Sequence, residues 1–547
     1  MLILHCVVDA YLDFVSNSEE RKMRLCTAKE MLIPALKYLL LVGCILFCLL
    51  FAWIGGKRIP FKYELEWMEG GSVCHVQRIL EGKPLYCAPT IQYAPYIYTP
   101  LYYYVSACVA KATGIGYVPL RLVSFASSWG CALLILLIVT RRHRAPLSFG
   151  VIAGSFFLAS FYVMGAWLDV ARVDALFVFM LLCSIYLFYS PVPIAHSVLA
   201  ALFMFLAFFT KQSALFVALP LCVWSLCFRT GWSRFTFSIV FLMSLVGSTL
   251  AMDWLSGGWY SYYVFSVPRN HDIVKSMVIS FWTHDLAGFA SIACLGSLYC
   301  LFGPGTYFET AHQASCDRET LMPQESLESA RKYSSLRERC LDVSVLGGLL
   351  LAGWFTRFHS GSYSNVRIPA YAGLAIFFGV GLAKIVAKAG HRGKYTPWIY
   401  VAVILQFLGL GYAPSGQIPS EAAWKEGDKL LNIIAGYNGD VWISCHPWYS
   451  TMIGRRPTAQ SMAISDILRA PCLPAEKERL KSSILQRLAE KSFDAIILDS
   501  EDEFPTDTTE MQNNYRLVDS NLTTIDFTPV TGARIRPQYL YIKKTGP

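Results

Sequence analysis

The sequence predicts a polytopic α-helical membrane protein that ends in a small α/β domain. Three observations lead there. The 547 residues are 54% hydrophobic and only 16% charged, with a mean hydropathy of +0.42, whereas soluble domains carry about 25% charged residues. The apolar residues fall in long runs separated by short polar turns, and each run is long enough for a membrane span. Beyond about residue 415 the runs stop, and helix-like and strand-like segments of ordinary polarity take over.

The first ~33 residues are mixed and charged (SNSEERKMRLCTAKE), as suits a cytoplasmic segment over 1–33. The first apolar run, KYLLLVGCILFCLLFAWI, has no small-residue cleavage motif behind it and reads as a retained anchor. A membrane domain over 34–414 is expected to hold about eleven or more spans. They lie near 35–54, 117–140, 147–166, 174–190, 193–210, 212–228, 235–255, 286–303, 343–358, 366–388 and 396–413. The basic clusters RRHR (141–144), RTGWSR (229–234), RKYSSLRER (331–339) and KAGHRGK (388–394) belong on the cytoplasmic side. An odd number of spans with the N-terminus inside puts all four there. The outer side then receives the large first loop (55–116), the turn at 167–173, the turn at Lys211, 256–285, 359–365 and the domain 415–547. Residues 304–342 become a cytoplasmic insertion. TPLYYYVSACVAKATG (99–114) is apolar but short, and is expected as an interfacial or re-entrant helix.

In 415–547, AAWKEGDKLLNIIAG predicts a helix, VWIS (441–444) a strand, FDAIILD (493–499) the end of a second helix–strand unit, and YLYIKK a strand that closes the sheet. The formal net charge of +9 sits largely in the clusters beside apolar runs. It reads as topology and not as nucleic-acid binding. The 17 cysteines lie mostly inside apolar runs as small hydrophobes, and no CxxC spacing marks a zinc or redox motif. Cys74, Cys87, Cys445 and Cys472 face the outer side, where disulfides can form in pairings that sequence does not fix.

Five outer features can carry chemistry. In ELEWMEGG, Glu66 and Glu69 are three apart and would share one helical face, as a general base or as ligands of a divalent cation; Glu64 falls off that face. An ordinary solvated acidic loop explains the same residues. Tyr98 and Tyr102, in YTPLYYY, suit either a water–lipid interface or stacking on a sugar. In WLDVARVDALF, Asp169 and Arg172 can pair at i, i+3 or place an acid and a base over an outer cavity. Lys211 and Gln212 stand between two apolar runs with almost no loop, so the ammonium calls for an anion such as a lipid phosphate, unless it snorkels to the interface. Arg357, His359, Tyr363 and Arg367 crowd one outer turn against the positive-inside trend, which suggests a bound phosphate or pyrophosphate.

Taken in order along the chain, MEGG, GKPLY (82–86), YTPLYYY (98–104), LRLVSF (120–125), RRHR, ARVDALF, FFTKQSALFVALPL and YSNVRIPAYAGLAIFFGVGL resemble the C-type (GT-C) superfamily of integral-membrane glycosyltransferases. The branch is that of protein O-mannosyltransferases, the lipid A aminoarabinose transferase and bacterial polyprenyl-phosphate-sugar transferases. The resemblance covers roughly 35–415. It departs at Met68, which stands where the branch has the Asp of an acidic pair, so Glu66 or Asp169 would supply the second carboxylate beside Glu69.

The resemblance implies a GT-C fold in a bacterial inner or plasma membrane, with the site and the C-terminal domain extracytoplasmic. It also implies an inverting transfer of a hexosyl or pentosyl unit from a polyprenyl-phosphate donor. The acceptor hydroxyl would belong to a glycolipid, a polysaccharide or a protein. Glu69, Glu66 or Asp169 would act as base. Lys211, Arg357, His359, Arg367 and Arg172 would hold the donor phosphate, and Tyr98, Tyr102, Gln212 and Tyr363 the substrate. A divalent cation, Mg or Mn, on Glu69 and Glu66 is compatible with this chemistry but not required by it. The alternative is a transporter or flippase of lipid-linked saccharides. Such a protein would carry mid-membrane charges or paired broken helices in two related halves, and no internal repeat is visible.

Overall fold

The computed structural model describes residues 19–190, 194–303, 324–390, 393–469 and 474–544, and builds each expected span around a helix. Among the described residues, six helices are long and apolar enough to cross a membrane: Met31–Arg58, Tyr117–Arg142, Ser233–Ser256, Lys275–Phe302, Ser335–Arg357 and Ser364–Ala389. The pair Thr396–Gly409 and Pro414–Ala435, bent by 53°, makes a seventh if taken as one span. The remaining apolar helices are shorter: Leu147–Ala159, Asp174–Phe188, Ala195–Phe208 and Gln212–Phe228. A helix of 14 residues covers about 21 Å, against a hydrocarbon core of about 30 Å. Irregular backbone at such depth is tolerated where protein buries it or where it lines a cavity. Residues 160–173, which join two of these short helices, are almost wholly buried. The polar turns thereby carry Asp169, Arg172 and Lys211 inward.

The first helix, α1 (Glu19–Arg58), runs through Pro34 instead of starting after it; helices bound for a membrane tolerate such a proline. Residues 1–18, within the expected segment 1–33, and 304–323, within the expected insertion, lie outside the described residues, as does Cys472. The second part of the insertion is helical and continues directly into the span that ends at Arg357. At the centre of the bundle, Ile368–Ala389 is buried along most of its length. There Gly381 lies against the carbonyl of Gly296 so closely that a Cβ would overlap it, the small-residue contact that lets membrane helices pack backbone to backbone.

The loop after α1 folds into α2 (Glu69–Leu80) and α3 (Leu101–Thr113). The latter is the short helix expected at 99–114. The C-terminal unit has a four-stranded sheet of β1 (Asp440–Ile443), β2 (Phe493–Leu498), β3 (Tyr515–Asp519) and β4 (Tyr539–Lys543), in the order β1-β2-β4-β3. β1 and β2 are parallel, and β4 runs antiparallel to β2 and β3. The sequence reading missed β3, an edge strand in which only Tyr515 is buried, so no apolar alternation announces it. Helix α4 (Glu421–Ala435) is capped by Ser420, whose hydroxyl accepts from the Ala423 N–H at 3.1 Å.

This unit and the loop 59–116 meet at one end of the bundle. Lys62 and Tyr63 both reach Asp428 (2.8 and 2.6 Å), the Thr531 N–H donates to the Leu65 carbonyl (3.1 Å), and the Ala459 N–H to that of Ile91 (2.7 Å). Among the described residues the cysteines are free, including Cys74, Cys87 and Cys445.

Candidate functional site

The acidic stretch is not one helical face. Helix α2 begins only at Glu69, while Glu66 precedes it in a bridge to Thr531. The three carboxylates therefore point to three different neighbourhoods.

Glu69 is fully buried and saturated. Its Oε1 accepts from Arg121 Nε (3.0 Å) and the Ala171 N–H (2.6 Å), and its Oε2 from Arg121 Nη2 (2.5 Å) and the Leu65 N–H (2.7 Å). Arg121 also donates to the carbonyls of Phe61 and Tyr63, both at 2.6 Å. With every lone pair engaged, Glu69 fits neither a base nor a metal ligand; it pins the start of α2 to the bundle. The Glu66–Glu69 metal pair is corrected on the same ground. Asp169 is likewise buried, 3.2 Å from Arg58 and away from the cavity described below. Its expected pairing with Arg172 is not formed.

Glu64 accepts from the Gly70 N–H (3.0 Å) and the Tyr117 hydroxyl (3.4 Å), and it contacts His446 Nδ1. The other ring nitrogen of His446 lies 2.8 Å from Asp499. Burial opposes charge on this imidazole, yet the two carboxylates outweigh it and raise its pKa well above the usual value. Burial also pushes Glu64 up, to about 7, against the pull of His446. Glu64, set aside in the sequence reading, is thus the clasp between the loop and the C-terminal unit. The two glycines of MEGG make room for this packing. A Cβ on Gly70 would overlap the Glu64 carboxylate, and one on Gly71 the Tyr96 hydroxyl.

Glu66 faces a cavity of about 440 Å³ between the bundle end and the C-terminal unit. Its Oε2 accepts from Arg172 Nη1 and the Met68 N–H, both at 3.2 Å, while Oε1 is buried with no hydrogen-bond partner. Burial pushes its pKa to about 8, only partly offset by Arg172. Arg172 Nη2 donates to the Tyr98 hydroxyl (3.1 Å). Lys211 Nζ lies 5.8 Å from the Tyr98 ring and donates to Asp174 (2.6 Å), which also accepts from Asn365 (3.1 Å). The ammonium therefore has a resident anion beside the cavity it lines. Gln212 Nε2 holds the carbonyls of Ile97 (2.5 Å) and Val264 (3.0 Å), and Tyr363 stacks on Trp167 at 6.0 Å.

Glu66, Tyr98, Arg172, Lys211, Gln212, His359 and Tyr363 thus line one cavity. The other expected residues do not. Tyr102 is buried with its hydroxyl on the Leu120 carbonyl (2.8 Å) and Ser124. Arg357 and Arg367 are both spent on the buried Asp285 (2.6 and 2.5 Å), Arg367 bordering a neighbouring cavity. Two groups escaped the sequence reading. Leu215, Phe216, Val264, Pro268 and Val366 give the cavity an apolar wall, and Met462, Asp466 and Arg469, on the helix Ser461–Arg469, close it from the C-terminal unit. His271, also in the lining, sits 3.3 Å from Asp466.

No protein-family model matches the sequence, and no curated protein matches it. Among solved structures, ArnT from Cupriavidus metallidurans bound to undecaprenyl phosphate is similar at a TM-score of 0.55 and 13% identity, over 91% of this chain and 97% of that one. Its apo state gives the same values. The oligosaccharyltransferase of Archaeoglobus fulgidus in complex with Zn and sulfate gives 0.48 at 11% identity, over 88% of this chain and 72% of that one. With six apolar helices of spanning length among the described residues, the chain is an integral membrane protein with the fold of ArnT.

Proposed function

We propose that the protein is a glycosyltransferase that moves a sugar from a polyprenyl-phosphate donor to an acceptor hydroxyl, with inversion, on the extracytoplasmic side of a bacterial inner membrane. One observation carries this reading: a single cavity is lined by Glu66, which keeps one carboxylate oxygen without a hydrogen-bond partner, and by Arg172 and Lys211, beside an apolar wall. A carboxylate with its pKa near the working pH suits a general base. Glu66 takes the proton of the acceptor hydroxyl as that oxygen attacks the anomeric carbon. The charge developing on the departing lipid phosphate falls to Arg172 and Lys211, with His359 alongside. The apolar wall suits a prenyl chain, and the solved structure that shares the fold holds undecaprenyl phosphate. Tyr98 and Tyr363 offer aromatic surface to the sugar. The C-terminal unit (415–547) supplies the acceptor side through Asp466 and Arg469.

The placement of the basic clusters supports the topology. The helix that begins at Tyr117, near Arg121 and Glu69, ends in Arg141 and Arg142, and the one that follows Lys211 ends at Phe228, just before Arg229. These two basic clusters therefore lie at the helix ends away from the cavity, as cytoplasmic loops require.

The test is transfer of labelled sugar from a prenyl-phosphate donor by purified protein in detergent, without vesicles. Turnover by the wild type and none by Glu66→Gln is expected. No turnover across prenyl-phosphate hexoses and pentoses, together with saccharide-lipid movement in proteoliposomes, would replace this reading by transport.

A further inference from the structure

A second cavity, of about 210 Å³, lies in the C-terminal unit and is lined by Trp67, Trp442, Cys445, Asp499 and Glu503 among others. Cys445 follows the end of β1 by two residues, and Asp499 follows β2 directly. They therefore stand beyond the carboxyl ends of two parallel neighbouring strands, where open α/β sheets place ligands. The Cys445 sulfur and one carboxylate oxygen each from Asp499 and Glu503 lie within 4.8 Å of one another.

Asp499 is 92% buried, being 8% exposed, and its two oxygens differ. Oδ2 is held by His446 Nε2 at 2.8 Å, whereas Oδ1 is enclosed with no hydrogen-bond partner. Glu503 accepts from the Cys445 thiol (3.4 Å) through Oε1 and from the Asp499 N–H (3.0 Å) through Oε2. An enclosed carboxylate oxygen with no donor, on a side chain grouped with a thiol and a second carboxylate, calls for a cation.

We propose that Cys445, Asp499 and Glu503 bind a zinc-class divalent ion. A thiolate combined with two carboxylates selects zinc over magnesium or calcium, which take oxygen ligands alone. Cys445 Sγ and Glu503 Oε1, 3.4 Å apart, already suit ligands at about 2.0–2.3 Å from a tetrahedral zinc, and small side-chain rotations complete the site. Three protein ligands leave a fourth position for water, and the adjoining cavity has room for it. Binding displaces the Cys445 proton. The bond from His446 to Asp499 is the outer-sphere contact that orients a ligating carboxylate. Through Glu64, the same histidine reaches the loop that carries Glu66. The ion is thus a fastener of the C-terminal unit, distinct from the proposed transfer cavity, and its existence does not depend on the transferase reading.

The test uses the full chain in detergent, stripped with chelator, dialysed against zinc chloride and assayed for bound metal by mass spectrometry. One zinc per chain is expected. A Cys445→Ser, Glu503→Gln double variant that elutes as the wild type should hold less than a tenth of that. Cobalt titration of the wild type should give the near-ultraviolet thiolate-to-cobalt charge-transfer band, a readout that needs no variant. Substoichiometric zinc in the wild type, full zinc in the double variant, or cobalt binding without that band would each overturn the assignment.

Discussion

At the residue scale the decisive contrast is between two glutamates three positions apart. Glu69 receives four hydrogen bonds, two of them from Arg121, while one oxygen of Glu66 receives none. Removing one partner of a buried ion pair leaves an uncompensated charge and costs about 3–5 kcal/mol. Glu69→Ala should therefore lower the unfolding midpoint of the purified protein sharply. Glu66→Gln also takes the carboxylate from the buried Arg172 and should lower the midpoint too, but in the protein that stays folded it should cut transfer by about 10²–10⁴-fold, the usual loss for a general base. The rate should also depend on pH in one direction. Glu66 acts only when ionised, and burial holds its pKa at about 8, so activity should rise with pH and reach half its plateau near pH 8. Arg172 lowers that pKa, so Arg172→Gln should move the midpoint to higher pH. A flat profile between pH 6 and 9 would remove Glu66 from the base role.

At the element scale, the sequence reading located the helices because long apolar runs are a local signal, as in Tyr117–Arg142. It placed the carboxylates on one helical face because three-residue spacing suggests a helix, yet α2 starts only at Glu69. What decides that start is tertiary. Glu66 is drawn into a bridge with Thr531, and Gly70 and Gly71 let Glu64 and Tyr96 close over the helix. The partners of Arg357 and Arg367 were illegible for the same reason. Asp285 is some 70 residues from Arg357, and nothing local links them. The packing of α2 makes a prediction. Gly71→Ala pushes a methyl into the Tyr96 hydroxyl, which donates to the Met68 carbonyl at 2.9 Å, and overpacking of this kind costs about 1–3 kcal/mol. Tyr96→Phe in that background should recover part of the loss in thermal midpoint. Gly56→Ala, with nothing near its Cβ position, should be neutral or stabilising, since alanine is the better helix former.

At the scale of the whole molecule, the cavity proposed for transfer is closed by two parts of the chain far apart in sequence: the loop after α1 and the C-terminal unit. His446 joins them, touching Glu64 across 382 residues and Asp499 on its other side. Motif spacing could not reveal this, because neither half of the contact has a local signature. The consequence is cooperative. Removing the imidazole leaves two buried carboxylates with no cation between them, so His446→Ala should cost about 3–5 kcal/mol and loosen both parts together. Amide exchange should then speed up in β1 and β2 and, in the same variant, across residues 62–71, while Ile368–Ala389 at the bundle centre stays protected. Glu64→Gln and Asp499→Asn each remove one side of the contact. Combined, they should depart from additivity by about 0.5–3 kcal/mol, as groups sharing one partner do. Strict additivity, or faster exchange confined to the sheet, would mean that the C-terminal unit rests on the loop without holding it. Glu66 would then owe its place to Arg172 and the bundle alone.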